Sequence, residues 1–380
     1  MYVCIIGWMR VLWVLLAMTS SASAEPYLEG EHATGDWAGK RTELEDHGVD
    51  LDLIYTVEAF DDVGDDATVL GHVDAALTLD TEKLGLWPGG TLYTLVQNGH
   101  GDGINTVVGS ATAISNLEAP AFTQLTELFY EQSLAGDMIV LRAGKQDANR
   151  DFGTPRYAGN FINGTLGMFP NALLPSFPTT GLGAFARAKP VPWLKVSGGV
   201  YEGSPEIESF GVDTAFDGGG YVGVGGAAVT GHFGPSHRHE ATTSAGAWHR
   251  AGEMPDVEAN DGFFVQTDEH LFAHPNDPKD NSGLTVILRF SYARADRSAI
   301  SRYVGGSASW YGLGFRHDDT VGVAAGYLTL DGGSEWFIDA TYKWRLTRFF
   351  SLQPDVEFYR HPSGTNGDAV LVGARIKVKL

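Results

Sequence analysis

The sequence has a single cysteine, Cys4, and no apolar run of 18 or more residues after residue 24. Cys4 lies in the N-terminal leader described below, so the exported chain has no thiol, disulfide or cysteine metal site. A secreted fold of this kind must be held by backbone pairing or by a large core. The missing apolar run excludes a transmembrane helix but not a membrane barrel, whose apolar residues are diluted by alternation. Positive charge is also scarce, with 26 Lys+Arg against 47 Asp+Glu, a net −21. Such a surface disfavours nucleic acid.

Catalytic signatures are lacking too. Gly305-Gly306-Ser307-Ala308-Ser309 resembles a nucleophile elbow without its last glycine. Gly223-Val224-Gly225-Gly226-Ala227-Ala228 matches a dinucleotide pattern, but no helix follows it. His232, His237, His239 and His249 read as imidazoles in a polar turn rather than as metal ligands. The pair Glu127 and Glu131 has nothing to position a substrate between its carboxylates. The expectation is of no enzyme, no cofactor and no metal.

What is present begins with a leader. Arg10 precedes the apolar run Val11 to Met18, and Ala22-Ser23-Ala24 supplies small residues for cleavage. Residues 1–24 read as a signal peptide for the Sec pathway, with the mature chain starting at Glu25. Met9 would make a cleaner start than Met1. No cysteine follows the cleavage site, which excludes a lipid anchor. The 49 glycines and 11% aromatics suit a β-protein rich in turns.

Residues 370–380 alternate strictly. Val370, Val372, Ala374, Ile376, Val378 and Leu380 form one face; Leu371, Gly373, Arg375, Lys377 and Lys379 form the other. Similar segments recur at 49–58, 72–80, 284–293, 336–345 and 350–359, each long enough to cross a bilayer when tilted. The full pattern predicts sixteen strands: 49–59, 71–80, 90–98, 122–133, 137–146, 182–189, 193–202, 219–230, 241–250, 262–272, 283–293, 303–316, 320–330, 334–346, 350–360 and 367–380. An even count returns both ends to one side. Odd strands lead into long connections near 99–121, 147–181, 203–218 and 251–261. Even strands lead into tighter turns such as 134–136, 190–192 and 316–319. The reading is an all-β, transmembrane antiparallel β-barrel of about 16 strands over residues 49–380. Residues 25–48 form a periplasmic segment before it. That segment carries a short helix over 37–47, with Asp36 as N-cap and Gly48 as stop.

The connection 147–181 is too long for a plain turn, and its apolar run Met168 to Phe177 should not lie in water. It is expected to fold into the lumen as a constriction loop. Flanking strands would face it with Glu127, Glu131, Arg142 and Arg187, opposed acidic and basic groups giving a transverse field. Gln146, Phe161, Asn163 and Tyr201 add amide and aromatic contacts suited to hydroxyl-rich solutes. Acidic blocks such as Asp61-Asp62 read first as solvated loops; the functional alternative is divalent-cation bridging to lipopolysaccharide or a cation bias at the pore mouth.

Several stretches then carry a family resemblance. Thr34-Gly35-Asp36-Trp37-Ala38-Gly39-Lys40-Arg41, with Leu44 and Gly48-Val49, resembles the N-terminal fingerprint of the carbohydrate-selective porins (OprB-like). Leu84-Gly85-Leu86-Trp87-Pro88-Gly89-Gly90, Glu127 to Gln132, Leu141 to Gln146 and Phe161 to Gly167 follow in order. Gly246-Ala247-Trp248-His249, Leu352 to Val356 and His361-Pro362 complete the series. The resemblance implies a sixteen-stranded barrel in the Gram-negative outer membrane, passing monosaccharides and other small sugars by facilitated diffusion without catalysis or cofactor. It places the chain among outer-membrane lipid and makes it a client of the barrel-assembly machinery, although Leu380 stands where an aromatic terminus is common. It leaves open association as a homo-trimer. The acid excess keeps a general or cation-preferring porin as the alternative.

Overall fold

The structure is a computed structural model that describes residues 28–64, 66–208, 220–233, 239–251, 259–271, 282–313 and 316–380. The expected signal peptide, 1–24, and His237 lie outside the described residues. A short helix, α1 (Lys40–Asp46), precedes the strands. The first eight strands are β1 (Val49–Asp62), β2 (Ala67–Asp80), β3 (Gly90–Gly101), β4 (Phe122–Leu134), β5 (Ile139–Gln146), β6 (Gly181–Val191), β7 (Leu194–Glu202) and β8 (Tyr221–Phe233). The second eight are β9 (His239–Ala251), β10 (Asn260–His270), β11 (Gly283–Ala293), β12 (Ile300–Leu313), β13 (Arg316–Leu330), β14 (Gly333–Arg345), β15 (Phe350–Arg360) and β16 (Ala369–Lys379). Each pairs with its sequence neighbours, and β1 pairs antiparallel with β16, so the sheet closes into a barrel with no free edge. All sixteen expected strands are present.

Alternation sets the two faces. On β16, Val370 and Val372 are 42% and 47% exposed while Leu371 between them is fully buried. On β11, Leu288 faces out, and Ile287 and Arg289 face in. Exposed Leu53, Val200, Val304, Val323 and Ile338 continue this apolar outer surface. Exposed aromatics sit near strand ends: Trp193, Trp310 and Trp344 toward one rim, Tyr221, Phe263 and Tyr327 toward the other. An apolar band between aromatic girdles is the surface a bilayer requires. No helix among the described residues is long and apolar enough to cross a membrane.

Strand ends differ from the sequence reading. Residues 316–319, expected as a turn, belong to β13. The cause is Asp319, fully buried, which accepts from Arg316 Nε at 2.6 Å, Tyr342 OH at 2.6 Å and the Arg345 amide at 3.1 Å. Pro190, expected in a turn, lies within β6, whose partner register resumes at Val191↔Leu194 after a shift. Pro354 sits inside β15 opposite Ala374. The ladder to β14 breaks beside it, passing from Thr341↔Asp355 to Trp344↔Leu352, as an imino acid without an N–H demands.

The helix before β1 is shorter than expected. A 3-10 turn (Trp37–Gly39) leads into α1, with Gly39 rather than Asp36 at the helix boundary. Asp36 still serves the helix, since its Oδ1 accepts from both the amide and the hydroxyl of Thr42 at 2.9 Å. Arg41 from α1 reaches the barrel seam, donating to Leu51 O at 2.9 Å and Leu380 O at 3.2 Å.

Candidate functional site

Two long connections fold inside the barrel. The longer, residues 147–180, leaves β5 and returns at β6; it contains two short turns of helix, α2 (Asn149–Phe152) and α3 (Gly164–Gly167). Its backbone carbonyls are shielded from solvent and need donors. The inner wall supplies them. Arg289 on β11, 2% exposed, donates through Nη1 to Thr165 O at 2.6 Å and through Nη2 to Gly153 O at 2.5 Å. The same guanidinium lies 3.9 Å over the Phe169 ring. Tyr303 on β12 donates to Thr165 O at 3.1 Å, and Gln353 on β15 donates to Asn160 O at 3.0 Å. Asn160 Nδ2 donates to Ser309 Oγ at 2.9 Å, and Asn163 Nδ2 donates to Tyr359 OH at 2.7 Å. The pins run from β11 to β15, so this loop is held against one half of the barrel.

The connection 102–121 packs beside it, joined by an antiparallel bridge between Ser115 and Asn163. Glu335 on β14 holds it by accepting from Ser110 Oγ at 2.6 Å and from the Ala111 amide at 2.8 Å. Glu118 gathers the amides of Asn105 and Ile114, each at 2.8 Å. Burial nevertheless raises the Glu118 carboxyl above the usual carboxylate range.

Against the opposite half the loop touches at fewer places, Phe169 stacking on Phe264 of β10 and Arg156 pairing with Glu240 of β9, and between them lies a cleft of about 250 Å³. The loop side contributes Arg150, Asp151, Thr154 and Arg156. The wall contributes Lys195 and Ser197 from β7, Thr242 and Ser244 from β9, and Phe264, Gln266 and Asp268 from β10. Both signs of charge, hydroxyls and an amide therefore meet in one small space. Gln266 Oε1 has no hydrogen-bond partner among the described residues. A polar lining with paired donors and acceptors is suited to a neutral solute bearing many hydroxyls.

The residues singled out by the sequence fall into three groups. Glu127, Glu131 and Arg142 meet on the β4–β5 wall at the loop's root. Arg142 bonds Glu131 through Nη2 at 2.7 Å and Asp151 through Nη1 at 2.6 Å, and lies 4.9 Å over the rings of Phe129 and Phe185. Glu127 pairs with Arg150 and accepts from the Asp147 amide at 3.2 Å. The expected opposition of acid and base across the gap is thus corrected: Glu131 and Arg142 are register partners on adjacent strands and neutralise one another in place. Gln146, Phe161 and Asn163, expected on the passage, are 0%, 0% and 2% exposed and turn into the packed side. Gln146 donates to Gly183 O at 2.9 Å. Arg187 is half-buried on β6, and Tyr201 on β7 is 2% exposed. Gly183 and Gly199 make room for the Tyr201 ring, since a Cβ on either would approach it within 2.6 Å.

Arg150, Asp151, Arg156, Lys195, Gln266 and Asp268 were not singled out. Lys195 shares the inward parity of Ser197 and Tyr201, which is the signal that could have found it. The Arg156–Glu240 pair, 2.7 Å apart, joins residues 84 positions apart and has no local signature.

A family model described as carbohydrate-selective porin, OprB family, matches residues 64–380. No curated protein sequence matches the chain. Among solved structures, the high-pH form of Pseudomonas putida OprB aligns with TM-score 0.82 at 16% identity, covering 93% of this chain and 99% of that one. The low-pH form of the same protein aligns with TM-score 0.67 at 16% identity and the same coverage. A triple mutant of the Rhodopseudomonas blastica porin aligns with TM-score 0.53 at 12% identity, covering 87% of this chain and all of that one.

Proposed function

The chain belongs to the carbohydrate-selective porin family, OprB, and from that premise we propose that it passes monosaccharides and similar small carbohydrates by facilitated diffusion. Its place is the outer membrane of a Gram-negative cell. The observation that carries the reading is the cleft between the inner loop and the β7–β10 wall. There Lys195, Asp268, Gln266, Thr242 and Ser244 face Arg150 and Asp151. A sugar ring offers donors and acceptors around its rim and an apolar face. This lining answers the rim. Passage needs contacts strong enough to draw the solute in and weak enough to release it, which paired and partly neutralised charges provide. No step requires catalysis.

The test is single-channel conductance in planar bilayers, titrated with glucose and other monosaccharides. Graded reduction of current at millimolar sugar is expected. Current indifferent to every sugar would remove the selective reading. The net charge of −21 favours a second reading, a general or cation-preferring porin. A reversal potential in a salt gradient separates the two.

The remaining parts of the reading follow the same frame. Residues 1–24 direct Sec export, residues 25–48 sit at the periplasmic mouth, and the barrel-assembly machinery inserts residues 49–380. Acidic residues at the outer rim, such as Asp61 and Asp62, meet lipopolysaccharide through divalent cations. A homo-trimer is compatible with the apolar outer wall, and cross-linking in native membranes tests it.

A further inference from the structure

Behind the inner loop, on the wall and away from the cleft, three carboxylates converge. Asp339 on β14 stands directly opposite Glu357 on β15, and Asp355 lies two residues earlier on the same inner face. Like charges directly opposite on paired strands repel. Here they are also sealed from solvent, at 0%, 1% and 0% exposure for Asp339, Asp355 and Glu357. One oxygen from each falls within 4.8 Å of the others.

Their surroundings do not neutralise them. Asp339 Oδ1 and Oδ2, Asp355 Oδ1 and Oδ2, and Glu357 Oε1 have no hydrogen-bond partner among the described residues. Only Glu357 Oε2 is served, by Asn163 Nδ2 at 2.9 Å and Tyr359 OH at 2.7 Å. Arg375 on the adjoining strand is committed elsewhere, paired with Glu58 and donating to Asn116 Oδ1 at 2.6 Å. The Thr341 hydroxyl donates to Pro354 O at 3.4 Å. Buried carboxylates with five of six oxygens lacking a donor and no paired counter-charge are costly enough that something must supply positive charge.

We propose that Asp339, Asp355 and Glu357 hold a hard divalent cation of the calcium type between the barrel wall and Asn163 of the inner loop. The donor set is oxygen alone, which disfavours zinc and copper. A spread of 4.8 Å is what two oxygens span on either side of an ion bound at roughly 2.3–2.6 Å. Calcium tolerates irregular ligand geometry, whereas magnesium demands a near-ideal octahedron that three strand-borne carboxylates do not offer. Because Asn163 donates to Glu357, the ion would fix the loop as well as the wall.

The test uses the full chain in detergent micelles, stripped with a chelator. Terbium is the probe, with luminescence sensitised through Tyr359, whose hydroxyl bonds Glu357. Sensitised emission saturating at about one ion per chain and displaced by calcium is expected. Asp339→Asn and Asp355→Asn should each weaken binding at least about tenfold, the fold equivalent of losing one charged ligand. Glu82→Gln, on the exposed turn between β2 and β3, should leave the emission unchanged. Should the variants not fold, the wild-type barrel still decides. Its heat-induced conversion from folded to unfolded band in SDS gels should move to higher temperature in calcium than in chelator. No sensitised emission at ~1 mM terbium, or emission retained in both variants, overturns the proposal. So does a wild-type conversion temperature indifferent to calcium and chelator, which would mean that protons neutralise the three carboxyls.

Discussion

The Phe161 ring lies over Gly322, so close that a Cβ at position 322 would come within 2.7 Å of the ring edge. Phe161 belongs to the inner loop and Gly322 to β13. The loop can reach the wall here only because the wall has no side chain. Gly322→Val should push the loop toward the cleft and lower single-channel conductance. The overpacking should cost about 1–3 kcal/mol, read as a lower conversion temperature in SDS gels. Unchanged conductance would mean that the loop does not bound the passage.

Arg289→Met should have the opposite effect on current. The substitution leaves Gly153 O without its donor in a closed space, while Thr165 O keeps only Tyr303. A loss of about 1–3 kcal/mol in stability is expected for the one orphaned group. The loosened loop should add flicker and raise mean conductance, both measured in single-channel records.

Arg142→Ala removes the cation shared by Glu131 and Asp151. The two carboxylates then stand unpaired at the root of the loop. A shift of the reversal potential toward stronger cation preference is expected, larger at low salt than at high salt. Reversal potentials that match the wild type would place this cluster outside the ion path.

Lys195→Ala and Asp268→Asn each take one charged hydrogen-bonding group from the cleft. Contacts of that kind contribute about 1.5–3 kcal/mol, so the sugar concentration for half-block should rise at least about tenfold. Lys195 lies on the wall and pins no part of the loop, so in that variant conductance without sugar should change little; Asp268 also meets the Arg156 backbone of the loop.

Asp36 contributes a pH dependence to the segment that precedes β1. The Thr42 amide and hydroxyl hold its carboxyl below the usual carboxylate range. A depressed folded-state pKa means that the stabilisation is present above the unfolded value of about 3.9 and is lost as pH falls through the lower folded value. Asp36→Ala should therefore speed hydrogen exchange at the Thr42 amide at pH 6–7. Asp36→Asn, which keeps the acceptor, should restore most of the protection.

How far the sequence reached depended on how local each signal was. Strands β11 and β16 were legible because alternation marks both faces within one strand. Strand ends were less legible. Whether 316–319 continues β13 depends on Tyr342 and Arg345 from the next strand meeting Asp319. The Glu131–Arg142 pair could be read from inward parity on adjacent strands. The contact between Arg289 and Thr165 spans 124 residues and depends on a loop folding back across the lumen, so no window of sequence contains it. Phe161 and Asn163 looked like ligands for a solute because both can bind one; the wall had already taken them.

The pins on the loop's backbone carbonyls lie on β11 to β15, ion pairs from β4 and β5 hold its root, and the cleft is walled by β7 to β10. The cylinder is thus two half-shells with separate duties, one clamping and one reading. Substitutions at Lys195, Thr242 or Gln266 can accumulate without loosening the clamp. A lineage could therefore change the solute it admits by drift in a few wall positions while keeping the barrel, the loop and its assembly route intact.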